Sequence, residues 1–154
     1  MWLLSRRKLL KKIDQERIKK AIEDAERLTS GEVRVSVSTF FRGEVRKVAE
    51  KAFARLGMSQ TKQRNGILFF IVPSRRRFVI LGDEGIHAKV GQKFWECLST
   101  IMSQKFKNRE FTEGLVFGIE EAGKMLAIHF PYNPETDVNE LSNEIDLTSG
   151  SGRR

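Results

Sequence analysis

Residues 67–72, Ile-Leu-Phe-Phe-Ile-Val, are apolar at every position. Successive side chains of a strand point to opposite faces, so a strand of this kind has no face to give to water. It belongs in the middle of a layered domain, with helices covering it on both sides. The next apolar run, Phe78-Val79-Ile80-Leu81, follows after only Pro73-Ser74-Arg75-Arg76 and Arg77. So short a connection predicts an antiparallel hairpin, because a parallel return needs a dozen residues or more. Upstream, Val33, Val35 and Val37 alternate with Arg34, Ser36 and Ser38, which predicts a strand with one buried face. Between these two strands, Val45, Val48, Ala49, Ala52, Phe53 and Leu56 recur at helical spacing, and Gly57 closes the helix. Strands joined through a helix run parallel with a right-handed crossover. The expected fold is α/β, a three-layer α/β/α sandwich with a small mixed parallel/antiparallel sheet.

Other segments supply the covering helices. Ile18, Ala21, Ile22, Ala25 and Leu28 mark one helix, with Asp14 as N-cap and Gly31 as terminator. Val90, Phe94, Trp95, Leu98, Ile101 and Met102 mark a second, in whose stripe Cys97 reads as a small core residue. Leu115, Ile119, Ala122 and Leu126 mark a third. Gly114 and Gly118 share a face of that helix, and glycine costs about 1 kcal/mol per helical site relative to alanine. Two of them imply a backbone pressed close to a neighbour. A short helix is expected near residues 139–145. The organisation is a basic amphipathic arm over residues 1–13, one α/β domain over 14–148, and a disordered tail over 149–154.

The formal charge is +8 and unevenly placed. Residues 135–146 carry five acids (Glu135, Asp137, Glu140, Glu144 and Asp146) and no base, whereas residues 1–134 hold 26 bases and 15 acids. That +11 body attracts polyanions, or the acidic segment folds back onto it. In residues 1–13, Trp2, Leu3, Leu9, Leu10 and Ile13 gather on one side of a helix, and Arg6 interrupts that side. Arg7, Lys8, Lys11 and Lys12 lie elsewhere on it, a pattern for an anionic membrane surface or for docking onto the domain. Nucleic acid ranks lower, since a single tyrosine and no aromatic-plus-basic stacking motif accompany the charge. One cysteine, no apolar run of membrane length and no signal-peptide core predict a cytoplasmic protein.

The strand directions bring three loops to one end of the sheet: Ser30-Gly31-Glu32, Arg64-Asn65, and Gly82-Asp83-Glu84-Gly85. Asp83, Glu84, Glu32 and Asn65 are the candidate ligands for a hard divalent cation, Ca2+ or Mg2+, with Thr61, Gly82 and Gly85 completing the binding neighbourhood. The plainer alternative is a turn whose Asp83 caps the following helix. Parallel sheets more often bind ligands at the opposite end, which here holds Phe40, Phe41, Arg42 and the turn with Arg75, Arg76 and Arg77. An anion can rest there, although arginines in a hairpin turn are commonly just solvated. His87 and His129 are too few for a zinc site, and no GxSxG, P-loop or GxGxxG is present.

A series of motifs, in order, resembles the TPM domain family. They are Thr29-Ser30-Gly31-Glu32-Val33; Leu56-Gly57-Met58 with Thr61; Arg64-Asn65-Gly66-Ile67-Leu68; and Gly82-Asp83-Glu84-Gly85-Ile86. Phe94-Trp95, Phe111 with Gly114-Leu115, and Phe130-Pro131 with Asn139-Glu140-Leu141 continue it, over residues 14–146. The resemblance implies an α/β/α sandwich with a mixed sheet. It also implies kinship with a thylakoid lumen protein linked to photosystem II repair, for which acid phosphatase activity has been proposed, and with members that bind calcium or other divalent cations. Bacterial members of this type are small soluble proteins often associated with LemA-type proteins. By resemblance, Asn65 and the loop 82–85 match the region of the family's site. The sequence departs from the phosphatase-like branch at Arg64, where that branch tends to carry an acid. It departs again at His87-Ala88-Lys89-Val90-Gly91, where an aspartate is missing. Both losses weaken a cation site and remove acid/base groups. The expected function is a non-enzymatic binding module using the carboxylate-lined loops for a divalent cation or a partner. The alternatives are a metal-dependent acid phosphatase-like hydrolase and a basic membrane-surface adaptor.

Overall fold

The computed structural model describes residues 5–134 and 142–147. The expectations for Trp2 and Leu3, for residues 139–141 of the expected 139–145 helix, and for the tail 149–154 lie outside those residues. In chain order the elements are α1 (Arg6–Lys12), α2 (Gln15–Glu26), β1 (Glu32–Val37), α3 (Val45–Arg55), β2 (Gly66–Val72), β3 (Arg77–Gly82), α4 (Glu84–Lys107) and α5 (Phe111–His129). The sheet order is β1-β2-β3, with β1 parallel and β3 antiparallel to the central β2. All seven residues of β2 are buried, as a strand apolar on both faces requires. Helices lie on both faces, so the architecture is the α/β/α sandwich expected from the sequence.

The two faces of β2 face different cores. Ile67, Phe69 and Ile71 join Val33, Val35 and Val37 beneath α2, α4 and α5. Leu68, Phe70 and Val72 pack with Ala49, Ala52 and Met58 under α3. Backbone closeness in the first core rests on the glycines of α5. A Cβ at Gly118 would stand 2.6 Å from Met102 Sδ and 2.9 Å from Phe69 Cε1, and one at Gly114 would stand 2.6 Å from Phe106 Cε1. The small-residue face of α5 is therefore what lets it lie against α4 and the sheet.

Local signals set several boundaries. Asp14 caps α2 by accepting from Arg17 N at 3.1 Å, and Gly57, at φ 76°, adopts the left-handed conformation that ends α3. Gly31 is not the terminator expected: α2 stops at Glu26 with Arg27 as its C-cap, leaving Leu28 65 % exposed. Cys97 corrects a second expectation, since it is exposed rather than buried. It lies two residues beyond Trp95, about 200° around a helix, so it points away from the face that Trp95, Leu98 and Met102 bury. Ile101 is likewise 40 % exposed. Residues 142–147 form no helix; Asp146 instead pairs with β1. The arm docks, with Leu9 and Ile13 buried in the main core while Arg7, Lys8, Lys11 and Lys12 stay exposed. No helix among the described residues is long and apolar enough to cross a membrane.

The largest departure from pattern is β1. Alternation leaves Arg34 and Ser36 for solvent, yet all six residues of the strand are buried. Arg34 is 8 % and Ser36 0 % exposed: Ser36 Oγ donates to Asp146, which Arg55 of α3 also holds, and Arg34 Nη2 donates to Glu144 O.

Candidate functional site

The three loops meet as the strand directions require, and backbone hydrogen bonds weld them. Glu32 N donates to Asn65 O (3.4 Å), Asp83 N to Gly66 O (2.9 Å), and Gly85 N to Arg64 O (2.8 Å). Gly85 is needed for that approach: a Cβ there would lie 2.1 Å from Gln63 O and 2.6 Å from Arg64 O. Arg64 itself has φ 53°, a left-handed conformation uncommon outside glycine. Ser30 is placed from the other side, its N donating to Phe130 O at 3.0 Å just past the end of α5.

Side chains then arrange around two centres. At the first, Arg64 grips Asp83 bidentately, Nε to Oδ2 at 2.7 Å and Nη2 to Oδ1 at 2.9 Å, and reaches Glu84 Oε1 at 3.4 Å. Asp83 Oδ1 also accepts from Glu84 N at 2.8 Å, capping α4. The hydrogen bonds to Asp83 raise the Arg64 pKa above its ordinary value. At the second centre, Ser30 Oγ accepts from Asn65 Nδ2 and from Gln63 Nε2, both at 3.1 Å, and Thr61 Oγ1 accepts from Asn65 N at 3.2 Å. Asn65 is 1 % exposed, and its Oδ1 lies buried with no hydrogen-bond partner.

Of the proposed ligands, Asp83, Glu84 and Asn65 come together, with Thr61 supporting Asn65 through its backbone. Gly82 packs against Trp95, 2.4 Å from where its Cβ would be. Glu32 is directed elsewhere. Its carboxyl shares a hydrogen bond with that of Glu26, whose Oε2 also accepts from Val33 N at 2.8 Å. Burial, and next the adjacent Glu32 carboxylate, push Glu26 up to about 9, so it holds its proton at neutral pH. Among the described residues no three His, Cys, Asp or Glu side chains group as metal ligands. As they stand these residues do not fit a bare divalent cation, since a guanidinium already occupies both oxygens of Asp83.

Beside the loops opens a cleft of about 320 Å³, lined among others by Arg46, Glu84, His87, Gln92 and Trp95. His87 Nδ1 accepts from Trp95 Nε1 at 3.0 Å, which leaves Nε2 as the protonated nitrogen of the neutral ring. At the opposite end of the sheet, Arg75 is consumed structurally: it donates to Phe41 O and Gly43 O and stacks 5.3 Å above the Phe41 ring. Arg76 and Arg77 are exposed. Sequence reasoning placed Arg64 in the converging loops and noted it as a missing acid; its place just before β2, beside the end of the neighbouring antiparallel β3, was the signal that it would pair with Asp83.

A three-stranded mixed sheet between helical layers, with Asn65 and a Gly-Asp-Glu-Gly loop at one end, defines the class. The sequence pattern of the TPM domain matches residues 5–125, and the chain belongs to that family. The solution structure of the BA42 protein from the psychrophilic bacterium Bizionia argentinensis is 38 % identical, with a TM-score of 0.79. That match covers 88 % of this chain and 94 % of that one. The N-terminal domain of a protein from P. gingivalis is 18 % identical over 85 % of this chain and 83 % of that one, with a TM-score of 0.55, a likeness of fold alone. No curated protein matches.

Proposed function

We propose that the chain is a non-enzymatic binding module that engages a partner through the loop cluster around Arg64, Asn65, Asp83 and Glu84. The observation that carries this reading is the exposed Arg64–Glu84 pair, held where three loops converge and with Glu84 on the rim of the cleft. Of the two ligands expected from the sequence, Arg64 favours the partner. With Asp83 already neutralised, a cation must first displace the guanidinium, whereas a partner can use the exposed Arg64–Glu84 edge and the cleft beside it.

Calcium titration separates the two. The thermal midpoint of the wild-type chain is expected to stay unmoved at millimolar calcium, and Arg64→Gln, which frees Asp83, to gain a calcium-dependent rise by mass action. A rise in the wild type that Asp83→Asn with Glu84→Gln abolishes would make the cluster a cation site instead. A LemA-type protein, the partner that family resemblance brings forward, is expected to bind at least tenfold more weakly to Arg64→Glu. Unchanged affinity would remove the cluster from the reading.

A further inference from the structure

The outer edge of β1 is filled by the chain's own acidic segment. In the order β1-β2-β3 the strand β1 has β2 on one side only, so its other edge presents main-chain groups that invite a further strand. Residue 146 takes that place in parallel pairing with Ser36: Asp146 N donates to Val35 O at 2.8 Å, and Val37 N donates to Asp146 O at 3.0 Å.

Side chains of the domain read what lies there. Asp146, 7 % exposed, receives Ser36 Oγ at 2.8 Å and both terminal nitrogens of Arg55, the nearer at 3.0 Å. Arg34 donates to Glu144 O at 3.2 Å, Lys19 pairs with the Glu144 carboxylate, and Arg6 donates to Leu147 O. Ile145 packs against the edge of the main core. Main-chain pairing plus alternate side-chain recognition is how strand-addition sites bind extended peptides. The reader is basic and built from α1, α2, β1 and α3; the peptide it reads is acidic.

The attachment is slight beside the ladders of the sheet. Six residue pairs join β1 to β2, but a single bridge joins the main chain of residue 146 to β1, and the flanking Lys19–Glu144 pair lies at the surface. Elements with few buried contacts open at far lower free energy than the core.

We propose that the outer edge of β1 is a strand-addition site for an acidic extended peptide of a partner, one with an aspartate beside apolar residues, and that residues 144–147 occupy it until displaced. Tethering gives the resident segment an effective concentration on the order of millimolar, so an incoming peptide competes best when the tethered copy is weakened.

The test uses the full chain and a fluorescein-labelled peptide with the sequence of residues 142–148. Fluorescence anisotropy is expected to show at least tenfold tighter binding to Asp146→Ala than to the wild type. Asparagine in the peptide's aspartate position, or 0.5 M salt, should remove most of that binding. Equal affinity for the two chains, or none for Asp146→Ala, would overturn the proposal. Hydrogen exchange on the wild type keeps the idea exposed should that variant fold poorly. The Val37 amide is expected to exchange at least a hundredfold faster than the amides of β2. Equal protection would mean that residues 144–147 leave only when the whole domain unfolds, and the proposal fails.

Discussion

The two faces of the sheet are closed in different ways. On one, α2, α4 and α5 seat a continuous apolar core on Val33, Val35, Val37, Ile67, Phe69 and Ile71, with Leu9 and Ile13 of the arm added at its margin. On the other, the single helix α3 covers Leu68, Phe70 and Val72, and the rest of the cover over β1 is polar: Ser36, Arg34, Arg55 and the returning Asp146. Apolar burial is non-directional and roughly proportional to area, so a helix with an apolar stripe suffices for the first face. Buried polar groups must each find a partner, so the second face closes only if specific residues from distant parts of the chain arrive together.

That contrast is most severely tested by a cavity in the first face. Phe69 is fully buried against Gly118 and its neighbours, and Phe69→Ala is expected to cost about 3–5 kcal/mol in a denaturant titration. A loss below about 1 kcal/mol would mean that the face is far more plastic than its close glycine contacts indicate.

An effect of opposite sign is expected at the polar margin of β1. Glu26 is held up to about 9 by burial and by Glu32, against an ordinary 4.5. Between those values the folded state keeps a proton that the unfolded chain releases, so stability falls as pH rises through that window. Glu26→Gln keeps an oxygen to accept from Val33 N and has no proton to lose. It should flatten the dependence, since each pH unit inside that window carries about 1.4 kcal/mol in the wild type, and so exceed the wild type at pH 8.5. Parallel urea midpoints for the two chains at pH 5.5 and 8.5 would show that Glu26 titrates normally.

The smallest effect belongs to the arm. Leu9 and Ile13 are committed to the core, and among the described residues of the arm Arg7, Lys8, Lys11 and Lys12 are exposed to meet an anionic membrane, each contributing about 1 kcal/mol near such a surface. Co-sedimentation with anionic vesicles is expected to be weak, to fall with salt, and to drop further for Lys8→Gln with Lys11→Gln and Lys12→Gln, at unchanged thermal stability. Binding unaffected by the triple substitution would place the contact elsewhere on the basic body.

The strand directions, the central place of β2 and the covering helices were legible in residue patterns because each depends on periodicity and on connection length, which are local. The same reasoning located the sheet end where Asn65, Asp83 and Glu84 meet, and Asp83 as a helix cap. Three things were decided only in the folded chain. Arg64 closes on Asp83, Glu32 turns to Glu26 rather than to the loops, and Cys97 faces outward. The burial of Arg34 and Ser36 belongs with them, since nothing near those residues announces Asp146 from more than 100 positions away. Hydrophobic patterns record which face a residue turns inward. Which charge meets which is set by distances across the fold, and a hydrogen bond or ion pair is made only within about 3–4 Å, so only the tertiary structure could choose among the partners the sequence offered.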